Sequence, residues 1–94
     1  MTTEAEKLAD KADELRKGGR YEEGLIYGRA SVAKDPECAP GWWQISLLSH
    51  ELGKVDESIK AAKRLLTCAP HFDDGWAWLG VCQLDSGRRP PVIE

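Results

Sequence analysis

The 94-residue chain lacks the marks of several protein classes. Its three cysteines, Cys38, Cys68 and Cys82, are an odd count with no Cys-x-x-Cys pair. A secreted disulfide framework in so short a chain shows four, six or eight, so reduced thiols and a cytoplasmic setting are expected. The two histidines, His50 and His71, complete no zinc-ligand spacing with those cysteines, and no metal site is expected. No run approaches the roughly 18 apolar residues of a membrane span. The opening Met1-Thr2-Thr3-Glu4 is acidic and polar, unlike a secretory leader. Basic charge is not in excess: 13 Lys and Arg stand against 16 Asp and Glu, a net charge of −3. That argues against a nucleic-acid partner, and Arg88-Arg89 is too short a basic run to reverse the argument. No segment alternates with period two, so no strands are expected. No phosphate-binding glycine loop, nucleophile elbow or HExxH occurs, so neither enzymatic activity nor a cofactor is expected.

What remains is a helix-forming composition with one surplus. Hydrophobic residues make up 41% of the chain and charged residues 31%, enough for a globular fold. A chain of this size buries only about 60–65% of its unfolded surface. Four tryptophans must share that thin core.

The sequence repeats. Gly19, Gly53 and Gly87 are spaced by 34 residues, as are Pro36 and Pro70. Leu8, Trp42 and Trp76 keep the same interval, and so do Leu25, Ile59 and Ile93. The periods run 5–38, 39–72 and 73–94, the last stopping after 22 residues. Each reads as two helices. Trp42, Ile45, Ser49 and Leu52 lie on one face of a 3.6-residue helix. Gly53 is placed to end it with a positive φ. Asp56 is placed to cap the next helix, which carries Ile59, Ala62, Leu65 and Leu66, and Pro70 follows its end. Leu8, Ala12 and Leu15, then Gly18-Gly19, then Tyr21, Leu25 and Val32, repeat the scheme one period earlier. The charges from Glu4 to Lys17 read as a solvated helix face. Trp42 and Trp76 are expected in the core.

A 34-residue helix–turn–helix period resembles the tetratricopeptide repeat (TPR) family. Trp76-Ala77-Trp78-Leu79-Gly80 matches the family's Trp-x2-Leu-Gly opening. Trp42-Trp43-Gln44-Ile45-Ser46 is a looser version, and Pro36 and Pro70 match the closing proline. The family's tyrosine column holds Leu15, Ser49 and Gln83. Its alanine column holds Gly24 and Ser58, both small, and its phenylalanine column holds Gly28 and Ala62. Lys11 stands where the family has a leucine, as suits a helix at the solvated end of a stack. The resemblance implies an all-α, right-handed solenoid of about five helices: two full repeats and the first helix of a third. It also implies a concave surface, lined by the first helix of each repeat, that binds proteins or peptides.

On that surface Trp43, Leu47 and His50 form a stripe on the second repeat's first helix. Ala77, Val81 and Leu84, with Trp78 beside them, form its counterpart on the last helix. Ala9, Asp13 and Arg16 are the equivalents on the first. An apolar or amphipathic segment is expected there, with His50 and Gln44 supplying polar contacts. Trp43 and Trp78 are equally readable as groove residues and as packing for a missing neighbour. The lysine, asparagine and arginine with which one TPR subclass holds the C-terminal carboxylate of heat-shock chaperones are replaced here by Ala9, Asp13, Gln44, Asp74 and Trp78, so that partner is not expected. The face of Trp76, Leu79, Gly80 and Ile93 lacks its second helix. Either the chain is a fragment of a longer repeat protein, or another molecule covers this face, a second copy giving a homodimer. A structural self-assembly module and a secretion-type chaperone for an apolar client are the competing functions.

Overall fold

Five α-helices and the turns between them account for residues 3–88, the part of the chain that the computed structural model describes, with side chains as far as Leu84. In chain order they are α1 (Glu4–Lys17), α2 (Tyr21–Lys34), α3 (Ala39–Glu51), α4 (Val55–Cys68) and α5 (Asp73–Arg88). The described residues include no strand. Each helix packs against the next, and α1 also packs against α3. Ile93 lies outside the described residues.

Local chemistry sets the helix ends, and it recurs at the sequence period. Gly19 and Gly53 have φ of 80° and 77°, a region that costs any residue with a Cβ. After α1, the Gly19 amide donates to the Arg16 carbonyl at 3.1 Å and Arg20 to Leu15 at 2.8 Å. After α3, Gly53 donates to His50 at 3.1 Å and Lys54 to Ser49 at 2.8 Å. Both are Schellman closures, which satisfy the orphan carbonyls of the last turn. The indoles repeat as well: Trp42 Nε1 donates to the Pro36 carbonyl at 2.7 Å and Trp76 Nε1 to that of Pro70 at 2.9 Å. Each ties the start of a helix to the turn before it.

Two sequence expectations are corrected. Asp56 does not cap α4; the N-cap is Lys54, without a side-chain bond, and Asp56 lies inside the first turn, where its charge favours the helix dipole. Trp76 is not in the core: it is 53% exposed. By contrast α1 carries a full capping box, Thr3 Oγ1 accepting from the Glu6 amide and Glu6 Oε1 from the Thr3 amide.

The core is built from Ala12, Leu25, Ile45, Leu48 and Ala61, with Tyr21, Tyr27, Val32, Trp42 and Leu52 packed around it. Small residues let the helices approach. A Cβ on Gly41 would sit 2.6 Å from Ser31 Oγ, so α3 meets α2 there with no room for any side chain. Ser46 and Ser58, both fully buried, exchange hydrogen bonds with each other's carbonyls at 2.8 Å, which joins α3 to α4. Ile45 Cγ1 lies 3.1 Å from where a Gly28 Cβ would be, and so fills the space left by the undersized column.

Candidate partner-binding surface

The surface is built from side chains on α3 and α5. Trp43, Leu47 and His50 of α3 are all half-buried. On α5, Ala77, Val81 and Leu84 are exposed, Val81 by 44% and Leu84 by 59%. Trp78 bridges the two helices. Its Nε1 donates to Ser46 Oγ at 2.7 Å, which fixes the indole plane.

Around it the rings form a continuous series. The Phe72 and Trp43 centroids are 5.1 Å apart at an interplanar angle of 87°. Trp43 and Trp78 are 6.2 Å apart at 76°, and Trp78 and His50 are 4.9 Å apart at 69°. Edge-to-face pairs of this kind hold one another by ring quadrupoles in addition to apolar contact. A carbon-lined hollow of about 270 Å³ opens beside them, walled by Ala39, Pro40, Trp43, Leu65, Ala69 and Phe72. Trp43 and Trp78 thus stand between the two readings of the sequence. They pack, but against each other along a seam that reaches solvent.

Phe72 was not singled out by sequence. It precedes the third period and stands 34 residues after Cys38, which is buried. A single aromatic replacing a small residue in that column was the available signal.

Polar groups concentrate at the α1 end, in a different arrangement from the one expected. Gln44 is buried, and its amide is engaged internally. Arg16 Nε donates to Gln44 Oε1 at 3.0 Å, and Gln44 Nε2 donates to Asp13 Oδ1 at 3.2 Å. Arg16 Nη2 lies 2.6 Å from the same Asp13 oxygen, and Lys17 Nζ lies 2.9 Å from the other. Burial raises the Asp13 pKa, but the hydrogen bonds and charges of Lys17 and Arg16 together outweigh it, leaving the carboxyl below its ordinary range. Gln44 therefore joins α3 to α1, and a ligand could use it only by displacing Arg16 or Asp13.

The face on the far side of α5 has its own geometry. Trp76 and Gly80 are exposed, Leu79 is half-buried, and a Cβ built on Gly80 would meet nothing within 4 Å. On α3 the equivalent pair, Trp42 and Ser46, is covered by α4. Arg64 lies over the Trp42 ring at 5.4 Å, and Ser58 bonds to Ser46.

Among the described residues no group of three or more His, Cys, Asp or Glu side chains could hold a metal ion. No described helix is long and apolar enough to cross a membrane. Cys38, Cys68 and Cys82 form no disulfide with one another. Burial, followed by the charge of Glu37, raises the Cys68 pKa, so little thiolate forms at neutral pH. No protein-family model and no curated protein matches the chain.

Proposed function

We propose that the chain is a TPR-like repeat module of right-handed helix–turn–helix units, without enzymatic activity, whose concave face binds an apolar or amphipathic segment of a partner protein. The observation that carries this reading is the ring series Phe72–Trp43–Trp78–His50, half-buried and flanked by exposed Val81 and Leu84. Aromatic groups held in fixed orientation at the edge of solvent are typical interface anchors. The recurrence of turn bonds and indole bonds at the sequence period supports the repeat part of the proposal. Three cysteines without a disulfide among them suit a reducing cytoplasm. Asp13, Arg16 and Lys17 at the α1 end place polar chemistry beside one end of the segment and leave its middle to carbon contacts.

The test is selection of binders from a displayed library of amphipathic helical peptides, followed by titration. Trp43→Ala and Leu47→Ala should each weaken a selected peptide, Trp43→Ala by about 30-fold or more, as expected for loss of a hot-spot residue. A peptide whose affinity is unchanged by both substitutions places the binding elsewhere and overturns the groove.

A second reading, self-assembly through α5, is favoured by one observation: Trp76 is 53% exposed on a face that has no covering helix among the described residues.

A further inference from the structure

A buried polar group lies where α5 meets α3 and α4. Ser46 of α3, Ser58 of α4 and Cys82 of α5 are all fully buried. Ser46 Oγ donates to the Ser58 carbonyl and Ser58 Oγ to the Ser46 carbonyl, each at 2.8 Å. Cys82 Sγ lies 3.3 Å from Ser58 Oγ. With its one hydrogen spent on a carbonyl, Ser46 Oγ still accepts, and the Trp78 indole N–H donates to it at 2.7 Å. Four side chains on three helices thus form one connected network.

One period earlier the corresponding junction is made of carbon. The residues 34 positions before Ser46, Ser58 and Cys82 are Ala12, Gly24 and Leu48. A Cβ on Gly24 would lie 3.2 Å from the Ala12 carbonyl and 3.1 Å from Leu48 Cδ2, so these three also close on one another. Ala12 and Leu48 are fully buried. Packing at such a junction therefore requires no hydroxyl. The residue 34 positions before Trp78 is Gln44, whose amide bonds to Asp13 and Arg16 instead. Hydroxyls stand at the junction into which an indole bonds, and are missing from the one into which none does.

We propose that Ser46 and Ser58 are positioning residues of the partner-binding surface, and that through Trp78 they make its contact with the partner one of carbon alone. This deepens the groove reading and rests on it. The Ser46 bond holds the indole N–H inward, at the angle at which Trp78 meets Trp43 and His50 edge to face. Ser58 acts one step further back. It takes up the Ser46 hydrogen on its carbonyl and leaves the Ser46 lone pair to the indole. What Trp78 offers a partner is then ring carbon and no donor. The partner segment carries an aliphatic or aromatic side chain at that point. A carbonyl, amide or carboxylate placed there would lose its water without gaining a bond.

The probe is an amphipathic helical peptide selected on the unmodified chain, its affinity read by titration. Ser46→Ala removes the acceptor and should weaken the peptide about tenfold, the order of one lost hydrogen bond. A second variant, Ser46→Ala/Ser58→Gly/Cys82→Leu, carries the carbon junction that packs one period earlier. It should fold, as checked by circular dichroism, and bind as weakly as Ser46→Ala. Trp78→Phe keeps an aromatic ring and removes the N–H. It should cost more affinity on the unmodified chain than on Ser46→Ala, where the bond it removes is already gone. Equal costs would mean that Ser46 acts on the fold and not through Trp78, and overturn the positioning role. Without peptide, the Trp78 indole proton, identified by NMR as the signal lost in Trp78→Phe, should exchange with solvent faster in Ser46→Ala. Unchanged exchange also overturns the role. Glutamine placed in turn at each apolar position of the peptide should nowhere raise affinity; a rise that depends on Trp78 overturns the carbon contact. A peptide indifferent to Trp43→Ala and Leu47→Ala overturns the groove itself. One sensitive to those two but not to Ser46→Ala overturns only the part given to the serines.

Discussion

Ser49 is a small polar residue buried without a bond. It lies at the 34-residue counterpart of Leu15, is fully buried, and its hydroxyl has no hydrogen-bond partner. Burying an unpaired hydroxyl costs about 1–3 kcal/mol. Alanine removes that group and favours the helix slightly. Ser49→Ala should therefore stabilise the protein by about 1 kcal/mol. In a thermal melt this raises Tm by about 4–8 °C for a domain of this size. A lower Tm would mean that the hydroxyl has a bonding role in solution. Ser46 and Ser58, equally buried, offer the opposite case. Each is bonded to the other's carbonyl, and alanine at either site should destabilise. The two outcomes separate a residue that is merely small from one that is small and bonded.

At the scale of the helix, most of the fold was legible because its punctuation is local. Gly19 and Gly53 close α1 and α3, and Pro36 and Pro70 accept the indole bonds of Trp42 and Trp76, all within a few residues along the chain. What sequence missed depends on partners far away in the chain. Gln44 was read as a groove contact because its register on α3 is correct. Its burial follows from Asp13 and Arg16, 31 and 28 residues away. Trp76 was read as core because Trp42 shares its column. Both make the same indole bond, but α4 covers only Trp42. Two glycines in helical hairpins make the local rule testable. Gly53→Ala forces a Cβ into a left-handed backbone and should cost about 1–2 kcal/mol. Gly80→Ala lies in open space within α5 and should stabilise by up to about 1 kcal/mol. Urea denaturation of both should give shifts of opposite sign. Equal signs would show that turn geometry does not govern the first.

Across the whole molecule, the two helical pairs are joined by charge on opposite sides of a shared apolar core. Arg29 of α2 grips Glu57 of α4 through two bonds of 2.7 and 3.0 Å, and Glu57 in turn raises the arginine's pKa. On the other side Asp13, Arg16 and Gln44 join α1 to α3. The second link gives the helical fold a definite response to acid. Asp13 has a folded pKa below its unfolded value, which is about 3.9. The folded state therefore favours the ionised form. That contribution is complete above the unfolded pKa and is lost as pH falls through the folded one. Between pH 5 and 7 it is constant. Asp13→Asn removes it, and in a network half open to solvent the loss at pH 7 is about 1 kcal/mol. Urea titrations of the two proteins from pH 7 to pH 2.5 should show a constant stability gap down to about pH 4, then a narrowing gap as the wild-type carboxyl takes up its proton. A gap that persists unchanged at pH 2.5 would show that Asp13 holds α1 to α3 by shape rather than charge. The proposed groove should follow the same curve, because Asp13 and Arg16 of α1 would form its polar end. A peptide that contacts α1 then loses affinity in the same pH range, and one that touches only the ring series does not.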